Sequence, residues 1–138
     1  MKGLFKMNVD FRRMGNLEGV FIADSDDVDY LVNKKICVYF GEVLGKHSEI
    51  YGNIKKNDIK LISTDNKVIN VIEEYELENG YNPFNYSVFV QEMENIPENG
   101  IEWNDCTVSE FIDFQRNGDI PKYQKENYLN YIKLHTIK

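Results

Sequence analysis

The chain of 138 residues has 42% hydrophobic and 28% charged residues, a composition that excludes an intrinsically disordered protein and can supply one hydrophobic core. Its net charge of −7 argues against direct binding of nucleic acid, and its only two cysteines, Cys37 and Cys106, argue against a disulfide framework. With no apolar stretch of membrane-spanning length and no export signal, we expect a single domain over residues 1–138, in the cytoplasm of a native or virus-infected bacterial cell.

The first half of the chain predicts mainly β-structure with one short helix. A turn at Gly15 and Asn16 separates the first two strands, and Asp24 or Ser25 can cap the helix that follows them. In chain order the expected strands are 11–14, 17–23, 35–40 and 58–63, with the helix between the second and the third.

A glycine-rich loop, 41–52, follows the third strand and has two interpretations. The first is a hairpin turn in which 40–44 pairs with 49–54 and Gly45 supplies a positive φ. The second is an anion-binding loop, whose amides and side chains would hold a phosphorylated small molecule or nucleotide, although no established phosphate-binding glycine pattern is present. The residues of this alternative ligand site are Gly45, Lys46, His47, Ser48 and Tyr51.

One helix and two strands are expected between residues 64 and 103. Asp65 or Thr64 can cap a helix whose apolar residues keep a helical period, and Asn79-Gly80 would end it. Strands are expected around 88–90 and at 101–103.

Two helices are expected at the C-terminus. Thr107 and Glu110 have the spacing of a capping box, which predicts a helix start, and Gly118 would end this helix. Pro121 suits the first turn of the last helix. The predicted buried side of the last helix consists of Tyr128, Leu129, Ile132 and His135. This order of elements predicts an α+β fold with a small mixed, mostly antiparallel sheet, short helices and two helices at the C-terminus.

The acidic residues are concentrated in the second half of the chain. Residues 1–70 hold ten acids and eleven bases, whereas 71–138 hold thirteen acids and five bases. Between Lys67 and Arg116 there is no lysine, arginine or histidine, and the same interval is rich in aromatic residues. Aromatic rings with carboxylates around them are typical of protein-binding surfaces. The candidate partner-binding residues are Glu73, Glu74, Glu76, Glu78, Tyr81, Phe84, Tyr86, Glu92, Glu94, Glu98, Glu102 and Trp103.

Two interpretations of this base-free interval stay open. The carboxylates can form a surface that imitates nucleic acid and docks on a basic partner protein. Alternatively they only hydrate the exposed sides of a helix and its loops, as in many small acidic proteins.

Catalysis is not predicted, because few groups in this sequence can act as an acid, a base or a nucleophile. His47 is the only histidine before position 135, and Cys37 lies in an apolar strand. Isolated histidines do not provide a metal site, so no metal or cofactor is expected. A hydrolase or transferase that uses His47 remains a third possibility.

The sequence therefore favours a small acidic, non-catalytic binding protein. We expect an inhibitor or immunity-type blocker that docks on a basic, nucleic-acid-binding surface of a partner protein. Its origin can be cellular or viral, and a viral protein of this kind would act against a host defence. No membrane and no direct nucleic-acid contact is expected, and self-association stays open. The alternative function is sequestration of a phosphorylated small molecule or nucleotide by the glycine-rich loop.

Overall fold

The computed structural model describes residues 1–45 and 48–136 and confirms the α+β class, with two antiparallel sheets and two helices near the C-terminus. The strands are β1 Lys2–Asp10, β2 Asn16–Asp24, β3 Cys37–Gly41, β4 Ile50–Asn53, β5 Ile59–Ser63, β6 Asn79–Gly80 and β7 Ser87–Val88. The α-helices are α1 Ser25–Asn33, α2 Asn66–Glu74, α3 Val108–Asn117 and α4 Lys125–Thr136.

The first sheet has the strand order β5-β1-β2-β6 and is built on the β1–β2 hairpin. In β1 the residues Phe5 and Met7 are buried whereas Lys6 is exposed, the alternation of a strand with one face in the core. The strand expected at 11–14 is wrong, since Arg12–Met14 is a turn of 3-10 helix that closes this hairpin. Charged residues interleaved along β1 break up its apolar run, so that only its period of two reveals the strand.

The second sheet has the strand order β4-β3-β7. β3 and β4 pair as an antiparallel hairpin, as one interpretation of the glycine-rich loop expected, with Tyr39 directly opposite Tyr51. The first arm was placed wrongly at 40–44, because the paired residues are those of β3, which ends at Gly41. The positive φ was assigned to the wrong glycine, because it belongs to Gly41, at 84°, and not to Gly45. The register shifts between Tyr39 and Gly41, and such a bulge needs a residue that tolerates this conformation.

The first two helices begin where their caps predict. The Asp24 side chain accepts from the Asp26 amide at 2.9 Å, and the Asp65 side chain accepts from the Lys67 amide at 2.9 Å. The predicted end of α2 at Asn79-Gly80 is wrong, because the helix ends at Glu74 and these two residues form β6. Pairing with the edge of β2 takes this segment out of the helix.

The third helix is as predicted, since the reciprocal capping box of Thr107 and Glu110 is formed and Gly118 ends the helix with a φ of 77°. The strand expected at 101–103 is wrong, because Trp103–Asp105 is a turn of 3-10 helix that packs the Trp103 ring into the core.

The last helix differs from the prediction in what it buries. Leu129 and Ile132 are exposed, and so is His135, whereas Tyr128 alone of the four packs against the core. The Tyr128 ring meets Phe114 of α3 edge to face at 5.8 Å. On the same helix Tyr131 packs against Gly100, whereas Leu129 and Ile132 are left open to solvent.

The hydrophobic core lies between the two sheets and is closed by α1 and α3. Phe21 of β2 and Phe84 meet edge to face at 6.1 Å, and Trp103 meets Phe111 of α3 in the same way at 4.9 Å. No helix within residues 1–45 and 48–136 is both long and apolar enough to cross a membrane.

Candidate functional site

A stack of three aromatic rings lies on one face of the second sheet, where Tyr51 is exposed and Tyr39 and Phe89 are half-buried. Tyr39 and Tyr51 share this face because they are direct cross-strand partners in β3 and β4. Phe89, just after β7, stacks on both of them. Its ring centroid lies 4.3 Å from that of Tyr51 and 5.9 Å from that of Tyr39, with planes 25° and 20° from parallel.

Two carboxylates border this stack, from the two arms of the hairpin. The Tyr39 hydroxyl donates to Glu49 at 3.3 Å. Partial burial, followed by the charges of Glu49 and Glu42, raises the pKa of the Tyr39 hydroxyl, so that it stays protonated and serves as a donor. We call Tyr39, Glu42, Glu49, Tyr51 and Phe89 the aromatic–carboxylate surface.

A shallow pocket of about 230 Å³ opens within the aromatic–carboxylate surface. Its walls are the rings of Tyr39 and Phe89, with Val88 beneath, and its polar atoms come from Glu49 and Asn104. The Asn104 side-chain oxygen accepts from the Val90 amide at 3.2 Å, which fixes the orientation of its amide group. A pocket with aromatic walls and a carboxylate favours a cation, because ring faces and carboxylates both attract positive charge.

The thiol beneath this surface is inert. Cys37 lies two positions before Tyr39 in β3 and is fully buried. Burial, with a smaller contribution from the charge of Glu92, raises the pKa of the Cys37 thiol to about 12. The second cysteine, Cys106, is also buried, and burial raises the pKa of its thiol as well. Neither thiol is a thiolate near neutral pH, so neither provides a nucleophile in the folded protein.

The aromatic residues predicted to bind a partner are mostly internal. Trp103 is 3% exposed, and its indole nitrogen donates to the Pro97 carbonyl at 3.2 Å. Phe84 is also buried in the core. Tyr81 and Tyr86 are half-buried and pack around Phe40, with ring centroids 6.4 Å and 5.0 Å from it. None of these four rings lies in the stack.

The predicted glutamates are exposed, but they are attached to different elements. Glu73 pairs with Lys2 of β1 at 3.2 Å, and Glu78 accepts from the amide of Ile22 in β2 at 3.1 Å. Glu94 pairs with Lys35, after α1, at 3.5 Å.

The remaining predicted glutamates are likewise spread over different parts of the structure. The Glu102 backbone is hydrogen-bonded to the side chain of Gln124, just before α4, while the exposed Glu92 is close enough to Cys37 for its charge to act on the thiol. The side chains of the exposed residues Glu74, Glu76 and Glu98 form no hydrogen bond or ion pair with another described residue.

Two residues of the alternative ligand loop, Lys46 and His47, lie outside the described residues. Gly45 is exposed, and Ser48 is half-buried. Tyr51 belongs to the ring stack, and the pocket at this end of the hairpin carries the carboxylate of Glu49. A carboxylate there disfavours a phosphate at the same place.

The sequence did not predict a binding role for Tyr39, Phe89 or either carboxylate of this surface. Residues 35–40 were predicted to form a buried strand, yet Val38 and Phe40 face the core while Tyr39 is half-buried on the opposite face. Strand alternation was the signal for Tyr39. Phe89 had no such signal, since only the pairing of β7 with β3 brings it to the hairpin.

Among the described residues no group of histidine, cysteine, aspartate and glutamate side chains is arranged to hold a metal ion. No protein-family model matches the chain, and neither a curated protein nor a solved structure matches it.

Proposed function

We propose that this chain is a small non-catalytic binding protein, an inhibitor or immunity-type blocker, that docks on a basic, nucleic-acid-binding surface of a partner protein. The observation that carries the proposal is the stack of Tyr39, Phe89 and Tyr51 beside Glu42 and Glu49. Exposed rings provide contact energy, and carboxylates next to them select a positively charged partner.

The chemistry of the pocket favours an arginine side chain as the group that is bound. A guanidinium group can lie against an aromatic ring and donate hydrogen bonds to a carboxylate at the same time, which a lysine ammonium does less well. Two aromatic residues, Tyr39 and Phe89, line the pocket, and Glu49 supplies the carboxylate. Proteins that bind nucleic acid expose arginines in large numbers, which is why this class of partner fits.

The overall charge of −7 supports the same class of partner. A negative protein is attracted to a basic surface from a distance, and the attraction weakens as salt screens it. The predicted glutamates outside the aromatic–carboxylate surface would contribute to this long-range attraction and not to the contact itself. The contact site proposed here differs from the acidic face predicted from the sequence and includes none of the partner-binding residues predicted there.

The test uses a labelled nona-arginine peptide and measures its binding by fluorescence anisotropy at increasing salt. We expect salt-sensitive binding that becomes about three- to fivefold weaker in Tyr51→Ala and in Glu49→Gln, the loss typical of one exposed cation–π contact or ion pair. The matched controls are Tyr75→Ala and Glu74→Gln, which remove an exposed ring and an exposed charge from α2.

Function as a blocker is tested by competition with nucleic acid. A labelled DNA duplex bound to the same peptide should be released by the wild-type chain and less by Tyr51→Ala. A loss in Glu74→Gln equal to that in Glu49→Gln would show that only net charge matters, and a loss in Tyr75→Ala equal to that in Tyr51→Ala would show that any exposed ring serves. Either result would refute the contact site. Stabilisation of the chain by nucleotides in place of basic peptides would instead support the sequestration alternative.

A further inference from the structure

A second groove lies between α1 and the edge strand β5, and it shares no residue with the aromatic–carboxylate surface. Its volume is about 540 Å³, in the range of sites that hold a side chain or a small ligand. Phe5 of β1 forms part of the lining, with Val28 and Val32 of α1 on one side and Leu61 of β5 on the other. Leu61 is 47% exposed, so apolar surface is left open to solvent along this strand.

The strand β5, which supplies part of the groove lining, is an edge strand. Within the described residues β5 pairs only with β1, and it is the outermost strand of the first sheet. Its central residues Lys60, Leu61 and Ile62 are all exposed. An edge strand directs every second pair of N–H and C=O groups outward, where they can pair with another extended chain.

The charged residues that line the groove are two lysines and one aspartate, which leaves it with a net positive charge. Lys56 and Lys60 line it, and neither takes part in the ion pairs formed among the described residues. On the opposite wall Asp29 and Asn33 of α1 are the polar residues. A segment bound along β5 would therefore meet two cations on the strand side.

We propose that β5 accepts an extended acidic segment of a partner protein as an additional strand, with an apolar side chain in the groove and carboxylates beside Lys56 and Lys60. Main-chain hydrogen bonds supply affinity in this mode of recognition, while the groove and the charges supply specificity. The site is separate from the one proposed for a basic partner and does not depend on it.

An acidic partner segment fits better than the two other occupants. A second copy of this chain that paired edge to edge would bring the lysines of one β5 close to those of the other, and lysine on an edge strand opposes such pairing. A fatty acid would fill the apolar part of the groove but cannot pair with the backbone of β5. The partner is thus defined by alternating apolar and acidic residues in an extended chain.

The experiment measures binding of a labelled octapeptide in which valine alternates with glutamate, with a second octapeptide of valine and lysine as the comparison. We expect the acidic peptide to bind at least tenfold more tightly than the basic one. Double reversal of the groove charges, Lys56→Glu with Lys60→Glu, should weaken its binding about tenfold. The matched control is Lys122→Glu with Lys125→Glu, which changes the net charge equally at exposed positions before and within α4.

Hydrogen exchange distinguishes strand addition from a simple attraction between charges. Saturating acidic peptide should slow amide exchange within residues 59–63, whereas dodecanoate should not. Val32→Trp, which fills the groove, should weaken peptide binding, and its circular dichroism spectrum reports whether the variant is folded. The proposal is overturned by equal binding of both peptides, by equal effects of the two charge-reversal pairs, by unchanged exchange in β5, or by dodecanoate giving the same protection.

Discussion

Tyr51 stacks on Phe89 with ring centroids 4.3 Å apart, which joins the outer arm of the β3–β4 hairpin to the segment that follows β7. The two residues are far apart in sequence: Tyr51 lies in the four-residue strand β4, and Phe89 directly follows the two-residue strand β7. The same rings that form the proposed contact site therefore also hold its two sides together.

Removal of the Tyr51 ring should lower stability as well as binding. We expect Tyr51→Ala to reduce the free energy of unfolding by about 1 kcal/mol, the value of an aromatic pair and a cross-strand contact at a half-exposed site. Tyr51→Phe should keep most of this stability because the stacked ring remains. Urea denaturation measures both, with Tyr75→Ala as a control for an exposed ring that has no partner ring in the described structure. A loss in Tyr75→Ala as large as that in Tyr51→Ala would contradict the role given to the stack.

Gly19 is required where β2 meets β6. A Cβ atom at this position would lie 2.0 Å from the carbonyl oxygen of Tyr81, so the two backbones could not keep their present distance. We expect Gly19→Ala to cost about 2–3 kcal/mol of stability through displacement of β6. Gly45→Ala is the matched control, since a Cβ there meets no atom of residues 1–45 and 48–136 within 4 Å. Thermal denaturation compares the two variants, and a stability of Gly19→Ala equal to that of Gly45→Ala would contradict the packing described for this edge.

The two cysteines should be unreactive in the folded chain. Burial raises the pKa of both thiols, to about 12 for Cys37, so the reactive thiolate is scarce at pH 8 and each sulfur is also shielded from reagent. We expect no reaction with a disulfide reagent such as Ellman's reagent on the timescale of minutes, and two equivalents per chain once urea unfolds the protein. Rapid labelling of Cys37 without unfolding would show that the second sheet opens locally and would reopen a nucleophilic role for it.

Asp113 should make the protein less stable as the pH rises. Burial, with the nearby charges of Asp27 and Asp119, raises the pKa of this carboxyl above its ordinary value of 3.8. A group with a raised folded pKa contributes its full stability below the unfolded value, and this contribution is lost as the pH rises through the folded value.

Accordingly, Asp113→Asn should be more stable than wild type at pH 7, by up to about 0.5 kcal/mol as for other surface substitutions, and the gain should disappear below about pH 3.8. Urea denaturation across this pH range measures the gain. Glu98→Gln is a control that removes one exposed charge from a loop. A gain that did not vary with pH would place its cause outside the titration of Asp113.

Local sequence signals determined the ends of several elements correctly. Asp24, Asp65 and the pair of Thr107 and Glu110 each satisfy free amides at a helix start, and Gly118 takes the left-handed conformation at a helix end. These interactions join residues that are at most a few positions apart, so the helix ends can be predicted from the local sequence without knowledge of the fold. The mixture of strands and helices, and with it the α+β class, followed from the same local patterns.

Which side chains face solvent was decided by the tertiary structure. Trp103 lies in an interval rich in carboxylates, yet its ring is in the core because the 3-10 turn at Trp103–Asp105 directs it against α3. Tyr39 lies in an apolar run, yet its ring is part of a partly exposed stack because β4 and β7 pair with β3 from both sides. The apolar groove beside Lys56 and Lys60 likewise exists only because β5 ends the first sheet. Composition and spacing determine the local conformation of a residue relative to its neighbours along the chain. Long-range strand pairing determines which distant residues it contacts, and both candidate sites are formed by such long-range contacts.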